Sequence, residues 1–389
     1  MKRWLALAAL LALAAPAAGQ GLLPWSDREV AAVKLHGPWP PPPPRDTSNR
    51  VLGRPSAILL GQHLFNEPRL SSNAMMSCAD CHQPGLNWTD GRKRGVGLAE
   101  LDRRTPTLWN VAFQYWFGWD GGSDSLWMQS IRPILDKREM DNTPAAVAKL
   151  VREDKVLACG YERAFGAPPG SDDEHVLADV GKALAAFQAT LITSRSPFDE
   201  FRDALVGKDK VRAALYPQAA QRGLKLFLDK GSCNNCHFGP QFTNGEFGDV
   251  GIAFFIRPGE VDNGRFGGIA KLLESPFNRL GRFSDDPSGA SATRTRHIDR
   301  QHKNFGEFKV PSLRQVGQTA PYMHDGSLPT LESVVKHYSE VSADRLHSDG
   351  TPLVRALGLT AEESSDLVAF LRSLDAPTPA PTAPAPLCP

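Results

Sequence analysis

One pattern, Cys-x-x-Cys-His, occurs twice: Cys78-Ala79-Asp80-Cys81-His82 and Cys233-Asn234-Asn235-Cys236-His237. It is the attachment signature of c-type haem. Two thiols three positions apart reach the two vinyl groups of one porphyrin and form thioethers. The adjacent imidazole then lies beneath the iron as its proximal ligand. A redox CxxC has no need of the trailing histidine. A zinc site wants four thiol or imidazole ligands near each pair, and few others are close. The chain is therefore read as holding two covalently bound haem c groups, with His82 and His237 as iron ligands.

Each motif has the same preamble. Gly61-Gln62-His63-Leu64-Phe65 precedes the first, and Gly223-Leu224-Lys225-Leu226-Phe227 precedes the second. One small helical module is duplicated, with a boundary near residues 195–210. Strand signals are few and helical ones clear. Val176, Leu177, Val180, Leu184, Phe187 and Leu191 form one stripe. Thr360 with Glu363 is a capping box ahead of Leu367, Phe370, Leu371 and Leu374. Thr143-Pro144 pairs a cap with an N1 proline. Residues 242–309, with ten glycines and few periodic apolar positions, read as long irregular chain. The expected fold is mainly α, with two cytochrome c-like domains, 46–205 and 206–375, each carrying one haem.

Residues 1–19 read as a signal peptide. Lys2 and Arg3 precede an apolar run over residues 4–15, and small residues follow. That run is shorter than the ~20 residues a membrane span needs. No other run is long enough, so an exported, periplasmic protein that does not span the membrane is expected. Pro38 and the prolines at 40–44 stiffen a Pro-rich segment over 20–45, and the Pro/Ala-rich tail, 376–389, is expected to be disordered. The 44 basic and 43 acidic side chains give no electrostatic reason for nucleic-acid binding. Cys159, in an apolar helical context, and Cys388, in the tail, are left over. They read either as a buried thiol and a loose one or as a disulfide.

A haem that only carries electrons usually has two protein ligands, whereas one that reacts needs an open side. Between His82 and His175 there is no histidine. Gln129 lies on a short helix that Asp124 would cap, Pro133 follows on the same face, and Glu139 lies just beyond. From spacing alone, Gln129 and Glu139 read more readily as a solvated surface than as a site. Leu331, Val334, Val335 and Tyr338 share a helical face that turns Tyr338 inward and His337 elsewhere. Taken alone, Tyr338 reads as a core tyrosine. His63, His297 and His302 read as helix or loop histidines, and Trp109, Trp116 and Trp127 as core.

Over residues 54–374 the chain resembles the bacterial di-haem cytochrome c peroxidases, the family that includes MauG. Leu60-Gly61-x-x-Leu64-Phe65 with Pro68-Arg69-Leu70-Ser71 carries the likeness before the first motif. Trp119-Asp120-Gly121 leads to Ser125-Leu126-Trp127. Phe308-Lys309-Val310-Pro311-Ser312-Leu313-Arg314 leads to Thr319-Ala320-Pro321-Tyr322-Met323-His324-Asp325-Gly326. The resemblance implies a peroxide site at the N-terminal haem, an electron-transfer haem in the C-terminal half, and Trp119 between them. It assigns Gln129, Pro133 and Glu139 to the peroxide site. It places an axial ligand fourteen residues after His324, at Tyr338. Ordinary members have methionine there and MauG has tyrosine. A phenolate favours oxidised states, so Tyr338 implies a haem that helps to hold an oxidising equivalent.

Three positions depart from the family pattern. Leu98 stands where many members carry a loop histidine that blocks the resting haem, which implies an open site. Arg104 replaces an asparagine that contacts an interdomain calcium, although Thr319 and Pro321 match its other contacts. Gly231 replaces the surface tryptophan through which MauG oxidises its protein substrate, which argues against methylamine dehydrogenase maturation. The expected protein is a periplasmic di-haem peroxidase. It would use hydrogen peroxide to oxidise a protein: a small cytochrome, a cupredoxin or a maturation target. The alternatives are an ordinary cytochrome c peroxidase, and a non-catalytic electron-transfer cytochrome or redox sensor, for which Met75 or Met76 is nearest to close the first haem.

Overall fold

The computed structural model describes residues 21–253, 255–342, 353–378 and 383–388. The leader lies outside the described residues. Three helices of the first half recur in the second, in the same order. They are α1 (Pro55–Phe65), α2 (Leu126–Leu135) and α3 (Asp173–Gln188), then α4 (Gln218–Leu228), α5 (Leu331–Glu340) and α6 (Ala361–Arg372). The glycine of each preamble sits where two helices touch. A Cβ at Gly61 on α1 would overlap the Ala183 carbonyl of α3, and one at Gly223 on α4 would overlap the Asp366 carbonyl of α6. Backbone therefore meets backbone, and Leu64, Phe65, Leu224 and Phe227 are buried beside the crossings. Gly223→Ala must push α4 off α6. We expect its thermal midpoint to fall by roughly 5 °C or more, read by calorimetry of the holoprotein.

Local signals set the helix ends. Thr360 Oγ1 accepts the Glu363 N–H at 3.1 Å, and Glu363 Oε2 accepts the Thr360 N–H at 2.9 Å. Thr143 caps Pro144–Glu153. The cap of α2 is Ser125, whose Oγ accepts the Met128 N–H at 3.2 Å. Asp124, the residue expected there, is instead buried, and its Oδ2 accepts from the Arg279 N–H and the Thr295 hydroxyl. An unforeseen helix, Asp27–Lys34, starts from a Ser26/Glu29 capping box inside the Pro-rich segment.

Two apolar cores form. The first gathers residues between Val51 and Leu191 with Leu272, Phe277, Phe283 and Leu387. The second joins Val33 to residues between Phe198 and Leu374. Trp109, Trp116 and Trp127 lie in the first core. The glycine-dense stretch is more ordered than its composition suggests. It holds a helix, Gly264–Glu274, because Ile269 and Leu272 are buried, and two short antiparallel pairs, Phe247–Gly248 with Phe308–Lys309 and Phe255–Arg257 with Glu260–Val261.

The tail is also placed. Cys388 forms a disulfide with Cys159, and Leu387 packs on Gly160 in the first core. The Leu387 carbonyl accepts from Arg163 at 2.9 Å, and His63 Nε2 donates to the Ala385 carbonyl at 2.8 Å. Residues 383–388 are thus held by a covalent bond and one buried leucine rather than left loose. Among the described residues, no helix is long and apolar enough to cross a membrane.

Candidate active site

Each half encloses a cavity lined by its Cys-x-x-Cys-His motif. The first, about 440 Å³, is lined by Cys78, Cys81 and His82, and the second, about 640 Å³, by Cys233, Cys236 and His237. Asp80 secures the first motif by accepting the Ser77 N–H and hydroxyl at 2.7 and 2.8 Å. His82 Nδ1 lies 3.0 Å from the Trp88 carbonyl, and His237 Nδ1 lies 2.9 Å from that of Phe242. A carbonyl only accepts, so Nδ1 carries the proton and Nε2 keeps the lone pair that ligates a metal. Burial lowers the pKa of both imidazoles, which keeps them in the neutral, ligating form.

Helix α2 sends Gln129 and Pro133 to line the first cavity, and Glu139 lines it from the turn that follows. Gln129 Oε1 is buried without a hydrogen-bond partner, an acceptor that lacks a donor. The turn is fixed from outside α2. Arg138 forks onto Asp102 at 2.9 and 2.8 Å, and the Glu139 carbonyl accepts the Leu98 N–H at 3.0 Å. Burial, with Asp136 adding to it, pushes the Glu139 carboxyl up to about 7. Leu98 is 40% exposed, whereas Met76 lines the cavity and Met75 is 79% exposed.

Tyr338 on α5 lines the second cavity, while His337 Nε2 donates to the Val250 carbonyl at 2.8 Å. The duplication relates Tyr338 to a residue of the first cavity. Bridges pair Phe117 with Ser123 and Tyr322 with Leu328, which makes Trp119 the counterpart of His324. Fourteen residues after His324 comes Tyr338, and fourteen after Trp119 comes Pro133. The module thus offers a phenol in one cavity and a side chain with no donor or lone pair in the other. Counting from Trp119 would have revealed this in the sequence.

Trp119 lines both cavities and donates its indole N–H to the Arg104 carbonyl at 3.0 Å. Arg104 and Lys309 also line both. Neither cation makes an ion pair among the described residues. Lys309 donates to Gln114 Oε1 and to the Trp116 carbonyl, and Arg104 to the Thr319 carbonyl at 2.6 Å. Burial lowers Lys309 to about 8 and Arg104 to about 10. A buried Arg104 and a partly buried Lys309, neither paired with a carboxylate, suit the anionic propionates of haem, so the donor sets and charges of both cavities fit that cofactor. Nearby, Asp120 is buried, but Arg103, Arg132 and Lys271 hold it ionised well below the usual carboxylate range. The calcium contacts fare differently. The Thr319 carbonyl, on one of the two matching positions, is taken by the Arg104 guanidinium.

A duplicated helical module with one Cys-x-x-Cys-His cavity in each half is the architecture of a di-haem c-type protein. Residues 55–207 match the family described as di-haem cytochrome c peroxidase. The chain is 33% identical to the methylamine utilization protein MauG of Methylorubrum extorquens, over 92% of this chain and 89% of that one. It is 30% identical to the cytochrome-c peroxidase IdrP1 of Denitromonas iodatirespirans, over 96% and 93%. A crystal structure of a MauG-like protein associated with microbial copper homeostasis superposes with a TM-score of 0.64 at 26% identity, covering 87% of this chain and 96% of that one. The chain belongs to the di-haem cytochrome c peroxidase family. It is a peroxidase with two covalently bound haem c groups.

Proposed function

We propose that this protein consumes hydrogen peroxide at the cavity of His82, shares the oxidising equivalents with the second cavity, and oxidises a protein donor. The observation that carries this reading is the pairing of an unpartnered Gln129 Oε1 with Pro133 at the place where the second cavity has Tyr338. Cys78, Cys81 and His82 would hold one haem and Cys233, Cys236, His237 and Tyr338 the other, and the two would supply the redox chemistry.

The chain's own groups handle position and protons. Gln129 Oε1 accepts a hydrogen bond from peroxide and orients it. The Glu139 carboxylate takes the proton of the inner oxygen and returns it to the outer one, which leaves as water. The oxygen left behind takes two electrons from the protein and two protons from solvent to become a second water, and two one-electron oxidations of the donor restore the protein. Trp119 stands between the cavities, and Tyr338 favours the oxidised state of its partner. The leader read over residues 1–19 supports a periplasmic setting for this chemistry.

Position 231 bears on the donor. Glycine offers no ring there, and a Cβ would lie 2.8 Å from the Leu226 carbonyl and 3.0 Å from Cys233 Sγ, so a larger side chain needs the local backbone to shift. An exit through a tryptophan at that point is closed. This favours a small cytochrome or cupredoxin over methylamine dehydrogenase as the protein oxidised. The test is peroxide added to the as-isolated diferric protein. We expect immediate bleaching of the Soret band into a long-lived state, and a resting EPR spectrum with one high-spin and one low-spin iron. A protein that answers peroxide only after prior reduction would sink the open-site reading.

A further inference from the structure

Arg104 joins the two halves through two bonds and holds Trp119 through a third. Its backbone N–H donates to the His324 carbonyl at 2.9 Å, and its carbonyl accepts the Trp119 indole N–H at 3.0 Å. Its guanidinium donates to the Thr319 carbonyl at 2.6 Å. The residue is 7% exposed, lines both haem cavities and pairs with no carboxylate among the described residues. A buried charge left this way is unfavourable unless carbonyl dipoles or a bound anion compensate it.

The family resemblance implies that members with asparagine at this position use it to contact an interdomain calcium. Calcium takes six to eight oxygen ligands. Arginine removes one of them, engages the Thr319 carbonyl and places a fixed positive charge where a divalent ion would sit. The residues present therefore do not fit calcium.

We propose that the Arg104 guanidinium is a built-in replacement for that ion. It fastens the 319–324 loop to the segment carrying Trp119 and supplies the positive charge between the two cavities. The protein then keeps its interdomain geometry with no divalent cation. This inference rests on family membership and not on the peroxide chemistry, so the two fail separately.

The test compares wild-type holoprotein with Arg104→Asn, each passed through EGTA and then titrated with calcium. Metal analysis, calorimetry, resting EPR and thermal midpoint are the readouts. Wild type is expected to retain no stoichiometric calcium and to give the same EPR spectrum and midpoint before and after chelation. Arg104→Asn is expected to bind calcium at least about tenfold more tightly than wild type and to regain midpoint when it does. Arg104→Lys, which keeps the charge, should remain insensitive to calcium. One tightly held calcium per wild-type chain, or a wild-type EPR spectrum altered by EGTA, overturns the proposal. So does a folded Arg104→Asn protein with no calcium response. Should that variant fail to accumulate, the wild-type chelation result decides.

Discussion

Replacing Glu139 by glutamine should lower peroxide turnover by a factor of about 10²–10⁴ while leaving haem content unchanged. The amide keeps the size and one acceptor oxygen but can neither take nor return a proton. With the carboxyl pushed up to about 7, the carboxylate needed for the first proton transfer forms only as pH rises through neutrality. The wild-type rate constant for reaction with peroxide should therefore climb through about pH 7, and that limb should vanish in Glu139→Gln. The stability effect runs the other way. A raised carboxyl pKa means the fold favours the protonated form, and the cost of ionising the group grows as pH rises from the ordinary carboxylate range to about 7. Glu139→Gln should consequently melt at a higher temperature than wild type at pH 8, and at the same temperature near pH 4. A residue that served packing alone would lose stability together with activity. Wild-type turnover in Glu139→Gln would remove Glu139 from the mechanism.

The haem motifs were legible because covalent chemistry dictates their spacing, and the preamble glycines because helices touch there. The identity of Gln129 and Glu139 was harder to see. A polar residue on a short helix looks the same in sequence whether it meets solvent or a cavity. What brings Glu139 to the cavity is the Asp102–Arg138 fork and the bond from Leu98, both made by a separate loop. Arg104 was visible as a departure from the family pattern, but its carbonyl partner lies 215 residues away and carries no side-chain signature. Composition misled at two places. The tail reads as low complexity, yet one cysteine and one leucine anchor it. The stretch Gly264–Glu274 is rich in glycine, and tertiary burial of Ile269 and Leu272 outweighs that weak propensity. The equivalence of Pro133 and Tyr338 needs only a count, but residue types do not signal it because the two side chains share no chemistry.

That equivalence leads to the second large effect. Tyr338→Met should raise the midpoint potential of the C-terminal haem by on the order of 100 mV or more. It should also shorten the life of the two-equivalent oxidised state at least about tenfold. A thioether is neutral and soft and favours the reduced metal, whereas a phenolate is anionic and hard and favours the oxidised one. The exchange is tolerable for the fold. Leu331 and Val335 bury the inner face of α5, the Thr330 capping box holds its start, and methionine fills irregular space well. Redox titration and stopped-flow decay after one equivalent of peroxide measure the two effects, and wild-type values for both would exclude Tyr338 as a ligand. The reciprocal change separates ligation from general perturbation. Pro133→Tyr places a phenol at the equivalent position of the first cavity, where it should close the open side and abolish the peroxide response, with the resting EPR spectrum losing its high-spin signal. If the duplicated module sets function through this one position in each half, the two substitutions must act on opposite haems.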